Sequence, residues 1–533
     1  MRRAPLLLLF AVLSVGRLDA QITETALLDT VQYTAFRFFW EEANPSNGLI
    51  RDRASVTGTS YTSWVPSSIA SCGFGLSAIC IGVDHGWVSR AAAADRVATM
   101  LRTFWNGPQG AGSSYIGAYG LFYHMLDMNT AKRTWDSELS TIDTALLFAG
   151  IVDAREFFDG TDAVEVEIRT LADNITRRAN WDLMRNFHPG ILMGWMPGSG
   201  FLNYGQWVGY NEAMIMYILA MGSPTYPVDS LGWKAWTAGY RWETHYNQTY
   251  VIFPPLFGHQ YSHCWIDFRN IQDDYMRGKG ITYFENSRRA ALAQQAYCAA
   301  NPGNFPGYSD SLWGLTASDT PTGYRAHGAP PAQDDDGTLV PTAPIASIAF
   351  APEAVLPTMR NMWNTYRGTL WSKYGFRDAF NLKVNWWDTD IIGIDQGPII
   401  IMIENYRNGK VWKRFMKNED IQRGLAVAGF TTVTSVEDAP PPVPHTVALG
   451  QNYPNPFNPA TTITFSLPAG APARVSLRVH DILGRVVTDL VDGTLEGGNH
   501  AITFDGSGLS SGVYYYQLRT EGTTMTRSML LAK

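Results

Sequence analysis

The sequence predicts two unlike domains: a large all-α domain of (α/α) toroid type, then a small all-β sandwich. Three observations predict it. Apolar residues recur at helical spacing up to residue 432, a proline-rich break follows, and beyond the break the apolar pattern changes to strict alternation.

Arg2 and Arg3 precede the apolar run Leu6 to Val15, which is too short to cross a bilayer. Leu18-Asp19-Ala20 then places a small residue before Gln21. Residues 1–20 read as a secretory signal peptide, so export to the medium or cell surface is expected. Residues 21–432 carry helical patterns over Leu28 to Glu42, Ser68 to Val83, Ala91 to Thr103, Thr144 to Phe158, Val164 to Arg178, Ala213 to Met221, Tyr283 to Ala299, Glu353 to Tyr366 and Pro398 to Arg407. Long loops rich in Gly, Pro, Trp and Asn separate them. A dozen or so such helices suit an inner ring wrapped by an outer ring, with the loops at one end forming a cleft. Residues 433–446, with Pro440-Pro441-Pro442 and Pro444, cannot continue a helix and read as a stiff linker. In residues 447–533, Thr461 to Leu467, Val475 to His480, Ala501 to Phe504 and Val513 to Leu518 alternate. Turn signals lie at Leu483-Gly484, Gly497-Gly498 and Ser511-Gly512.

Composition narrows the function. With 45% hydrophobic and 17% charged residues the chain is globular, and a net charge of −7 argues against a nucleic-acid partner. The 18 Trp, 25 Tyr and 25 Phe suit the apolar faces of sugar rings, though a large core uses aromatics too. Cys72, Cys80, Cys264 and Cys298 could form one or two disulfides or stay as buried thiols. No Cys/His spacing matches a zinc site, and no Gly-x-Ser-x-Gly elbow or phosphate loop is present. No metal or cofactor is expected.

Two sets of motifs carry a resemblance. Gln451 to Pro459, Val479 to Arg485 and Leu509 to Tyr514 resemble the sorting domain of type IX secretion systems, which implies an export address rather than a catalytic module. In the helical domain the motifs are Phe38-Phe39-Trp40 with Gly48 to Arg53, Ser140 to Leu147, Tyr210-Asn211-Glu212-Ala213, Trp313 to Asp319, Asp336-Gly337-Thr338 with Pro341-Thr342-Ala343, and Ile394 to Pro398 with Ile403 to Arg407. Together they resemble the glucoamylase-like family that includes bacterial endo-β-1,2-glucanases. The resemblance implies an (α/α)6 barrel, hydrolysis of β-glucan with β-1,2 linkages foremost, and inversion at the anomeric carbon.

Glycoside hydrolysis needs one protonated carboxyl and one ionised carboxylate across the scissile bond. Glu212, opening the apolar run Ala213 to Met216 with few charges near it, is the candidate general acid. Asp143 follows Ser140 by three residues. That is a capping-box spacing, which also sets it at the mouth of a helix ring, so it too is a candidate to activate water, directly or through a relay. Asp395, just before Pro398, reads as a helix N-cap and is the leading candidate base, with Asp388 in reserve. Asp136, Glu138 and Glu285 are candidate sugar contacts, Glu285 with an alternative salt bridge to Arg288 or Arg289. His259 and His263 lack the zincin Glu and are candidates for sugar hydrogen bonds. Trp40, Trp195, Trp207, Trp265, Trp313 and Trp387 are candidate stacking residues. Glu404 reads as structural, and Asp334-Asp335-Asp336-Gly337 as a solvated turn rather than a Ca²⁺ loop. The expectation is a monomeric endo-β-glucanase. The alternatives are an exo-acting hydrolase or transglycosylase on the same glucan, and a non-catalytic glycan-binding surface protein.

Overall fold

The computed structural model describes residues 22–57, 65–201, 205–433, 447–452, 455–468 and 472–532. The predicted signal peptide, the linker apart from Val433, and Tyr453-Pro454 lie outside the described residues. The chain divides into two units, Met1–Thr432 and Val433–Lys533. Among the described residues no helix is long and apolar enough to cross a membrane.

The first unit is helical. Its helices are α1 (Glu24–Glu41), α2 (Ile69–Asp84), α3 (Arg90–Asn106), α4 (Thr141–Phe157), α5 (Ala163–Arg177), α6 (Met214–Gly222), α7 (Ser230–Ala238), α8 (Asp274–Lys279), α9 (Tyr283–Ala300), α10 (Thr342–Ile345), α11 (Pro352–Leu370), α12 (Gly393–Asn408), α13 (Lys410–Phe415) and α14 (Glu419–Val427). Side chains cap most of the long ones: Thr23, Ser68, Ser89, Ser140, Asp162 and Thr282 each accept a first-turn N–H.

Burial separates two sets. Helices α2, α4, α6 and α12 are buried on nearly every side, whereas α3, α5 and α11 bury one stripe. The buried set forms a closed circuit. α2 packs on α4, α4 on α6, α10 on α12, and α12 back on α2. Between α6 and α10 the circuit runs through two 3-10 turns, Leu256–His259 and Ser262–Cys264. Ser262 Oγ accepts from Ile215 N at 3.0 Å, and Gln260 donates to Ala343 O at 2.7 Å. Pro254-Pro255 and Gly258 keep this segment from becoming a full helix. Glycine brings α2 and α4 together: a Cβ on Gly150 would lie 1.9 Å from Gly73 O. The sequence pattern for α12 needs correcting. The helix begins at Gly393, so Asp395 is its third residue rather than its cap, and Pro398 lies inside it. The early start is possible because Gly393 N donates to Asp52 O at 2.8 Å. All four cysteines are buried and free.

The second unit is two antiparallel sheets. One pairs Ala448–Leu449, Ala460–Leu467 and Gly498–Asp505. The other pairs Val486–Leu495, Ala473–His480, Gly512–Thr520 and Thr523–Leu531. Alternate residues of both sheets, among them Ile463, Phe465, Leu477, Val479, Tyr516 and Leu531, form one core.

Candidate active site

Asp143, Glu212 and Asp395 each lie at the start of a buried helix of this circuit. Glu212 sits two residues before α6, half-buried, where burial pushes its carboxyl from the ordinary 4.5 up to about 7, with the nearby Asp143 charge adding to the shift. Asp143 is in the first turn of α4. Ser140 Oγ accepts its N–H at 3.1 Å and donates to its carboxylate at 2.5 Å, so the cap and the site share these groups. His124 completes this arm. Its Nδ1 lies 3.0 Å from Glu138 and its Nε2 3.6 Å from Asp143. Burial works against the charge on His124, but Asp143 and Glu138 outweigh it and raise the imidazole to about 9. His124, Glu138 and Asp143 bring ligand atoms within 4.8 Å of one another, a geometry that could hold a metal ion. The imidazolium already supplies positive charge between the two carboxylates.

The other arm is a nest of aspartates around one arginine. Arg53 bonds Asp52 at 3.1 Å, Asp319 at 2.8 Å and Asp390 at 3.3 Å. Antiparallel pairing of Arg53–Ser55 with Asp390–Ile392 brings these loops together above α12. Asp395, buried, is raised to about 7, chiefly by desolvation. Asp378 is pushed up by burial and by Asp395 itself. Neither Asp378 Oδ1 nor Asp395 Oδ2 receives a donor from the chain, and the two carboxyls are close enough to share a proton. Their mutual interaction raises Asp378 and lowers Asp395, so Asp395 is the readier of the two to ionise. Asp388 is raised to about 8 by burial and by Asp378. Tyr261 joins the two arms, since both Asp395 and Glu212 act on its hydroxyl.

The remaining candidates divide. Trp207 Nε1 donates to Thr141 Oγ1 at 3.1 Å, beside Asp143, and Trp195 pairs with Leu139 just before α4. Trp387 lies flat on Phe380, with centroids 5.3 Å apart, in the hairpin that leads to Asp388. Asp136 is exposed and faces Arg133 at 3.7 Å. Trp265 and Trp313 are corrections: both are fully buried, Trp265 stacked on Phe74 and bonded to Ser77, so neither can meet a sugar. His259 and His263 are also buried, and desolvation lowers both to about 3, so they stay neutral in the core. Trp40 is held by Phe36 and by Arg96, 4.4 Å above its ring, between α1 and α3. Glu285 spans one turn of α9 to Arg289 at 2.8 Å. Asp335 accepts from Tyr297 and Tyr308, each at 2.7 Å, which ties the acidic turn to the fold. Glu404 is buried and bonded to His85 and Gln32, a structural role.

Sequence reasoning missed His124, Tyr261, Arg53 and Asp378. Each enters from a loop or short turn, where no periodicity marks it. Asp52-Arg53 and Asp319 stood in motifs already singled out, and that was the available signal.

Comparison with known proteins adds a lineage. A family model described as "putative glucoamylase" matches residues 204–419, and one described as a secretion system C-terminal sorting domain matches residues 451–532. A relative from Parabacteroides distasonis, named exo β-1,2-glucooligosaccharide sophorohydrolase (non-reducing end), is 31% identical over 439 residues. The match covers 76% of this chain and 58% of that relative, so the chain spans a little over half its length. A solved "putative glucoamylase" from Bacteroides uniformis is 33% identical with a TM-score of 0.71, the match covering 77% of this chain and 98% of that one. An endo-β-1,2-glucanase from Chitinophaga pinensis, solved with sophorotriose and glucose, is 28% identical with a TM-score of 0.71, over 77% of this chain and 99% of that one.

Proposed function

Because the chain belongs to the glucoamylase-like family of glycoside hydrolases, we propose that it is an exported enzyme that hydrolyses β-1,2-glucan within the chain. The observation that carries this is Glu212. Its carboxyl holds a proton up to about 7, and Tyr261 lies within reach of both its charge and that of Asp395. Glu212 donates that proton to the leaving glycosidic oxygen as general acid. Asp395, steadied by the proton on Asp378, takes a proton from water as that water attacks the anomeric carbon from the opposite face. Such a displacement inverts the anomeric centre. Burial keeps Glu212 protonated, and the charge of Asp143, fixed by Ser140 and His124, adds a smaller push. The reading takes the closed helix circuit as an (α/α)6 toroid and the C-terminal sheets as an immunoglobulin-like sandwich that addresses a monomer to its export machinery.

The test is incubation with linear β-1,2-, β-1,3- and β-1,4-glucans, followed by product sizing over time. A ladder of oligosaccharides from the β-1,2 chain alone is expected. A second reading has a specific basis, since the relative from Parabacteroides distasonis bears an exo-acting name. A single disaccharide from the first time point would select it. No product from any glucan would refute both readings and leave a glycan-binding protein.

A further inference from the structure

Two aromatic residues beside the acid arm occupy backbone positions that aromatic residues avoid. Gly117-Ala118 and Leu121-Phe122 form a hairpin closed by Tyr119-Gly120, and both of these residues have positive φ, 55° and 83°. Thr134 to Ser137 closes a second turn through Ser137 N to Thr134 O at 3.1 Å, and its central Trp135 and Asp136 have φ of 55° and 46°. Positive φ at both central positions is the pattern of a type I′ turn, which selects Asn, Asp and Gly. A bulky side chain there is strained. Neither ring recovers the cost by burial: Tyr119 is 47% exposed and Trp135 57%.

Both turns are firmly held at the candidate site. Phe122 N donates to Thr144 Oγ1 at 3.1 Å in the first turn of α4, and Asn180 N donates to the Tyr119 carbonyl at 2.9 Å. Arg133 Nε donates to Ser137 O at 2.6 Å, and its far end reaches Met196 Sδ at 3.8 Å. Trp195, next to Met196, meets the Tyr119 ring edge-on at 5.4 Å. Strain alone does not mark the pair. Phe187 is exposed at a φ of 66°, and Tyr246, at 49°, packs on Tyr297 at 6.1 Å. Position at the mouth of α4 distinguishes Tyr119 and Trp135.

Resting on the reading above, we propose that Tyr119, Trp135 and Trp195 form a platform on the Asp143 side of the cleft. It binds glucosyl units of a long glucan beyond those at the cleavage point. Rings standing clear of the surface on rigid turns offer apolar faces to pyranose rings, and Asp136 lies beside them for hydroxyl contacts.

The experiment compares wild type with Tyr119→Asn, Trp135→Asn and the double variant. It reads kcat/KM on polymeric β-1,2-glucan against a short β-1,2-oligosaccharide, together with the thermal midpoint. Asn suits the turn, so the midpoint should hold or rise. The polymer-to-oligomer ratio should fall about fivefold per ring. Tyr246→Asn is the control; it relieves a turn of the same kind away from Asp143 and should leave the ratio alone. An unchanged ratio, or a midpoint that falls with it, overturns the platform while leaving the hydrolase standing. A wild type that cleaves no β-1,2-glucan overturns the reading beneath it and the platform together.

Discussion

Replacing Glu212 by Gln should stabilise the enzyme, and only above the acid range. In the folded chain the Glu212 carboxyl is raised from the ordinary 4.5 to about 7, first by desolvation. The folded state therefore holds the proton more tightly than the unfolded state. Wild-type stability falls as pH rises from 4.5 to 7, and the penalty is then constant at higher pH. At about 1.4 kcal/mol per unit, the interval corresponds to about 3 kcal/mol. Gln has the same shape and no charge to desolvate, so Glu212→Gln escapes this loss. For a helical unit of roughly 400 residues that amounts to about 4 °C in the thermal midpoint. The assay is thermal unfolding of both proteins from pH 4 to pH 8. The midpoint difference should be smallest at pH 4 and grow by about 4 °C toward pH 8. A difference that is flat with pH, or that favours wild type at pH 8, would refute the raised Glu212 carboxyl.

The remaining predictions concern the pH profile, the second carboxyl and the core. Activity needs Glu212 protonated and Asp395 ionised, and both are raised to about 7. A narrow bell in kcat/KM against pH should peak near 7, with about a quarter of molecules in the competent form. Asp378→Ala removes the hydrogen bond that lowers the pKa of Asp395, so the acidic limb of that bell should move to higher pH. Asp153→Ala breaks the buried pair with Arg414, made at 2.6 and 3.0 Å about three turns along α4 from Asp143. It should cost about 3–5 kcal/mol in denaturant unfolding without moving KM. Trp265→Ala should likewise cost about 3–5 kcal/mol, as a core truncation does. Trp387→Ala, at a partly exposed ring, should raise KM with little change in unfolding.

What the sequence reveals and conceals follows from periodicity. The helical pattern over Tyr283 to Ala299 meets a helix at Tyr283–Ala300, because capping by Thr282 and an apolar stripe are local signals. The fourth inner position was invisible, since Pro254-Pro255 and Gly258 break it into short turns that only tertiary bonds through Gln260 and Ser262 place. The start of α12 escapes the sequence because the partner of Gly393 N is the Asp52 carbonyl, far away in sequence. Glu212, Asp143 and Asp395 could be singled out because they stand at the starts of inner helices. Asp378 and Arg53 could not, because loop pairing such as Arg53 with Ile392 assembles their arm. Exposure is the other blind spot. Nothing local separates Trp265 in the core from Trp207 beside Asp143.

The central claim, that Glu212 protonates the leaving oxygen, is tested most directly by Glu212→Gln on two substrates. One is β-1,2-glucan, whose leaving sugar needs a proton. The other is a nitrophenyl β-1,2-glucoside, whose leaving group does not. The account predicts a loss of about 10²–10⁴-fold in kcat on the glucan and a far smaller loss on the nitrophenyl substrate. Equal losses on both, or full activity on the glucan, would contradict it.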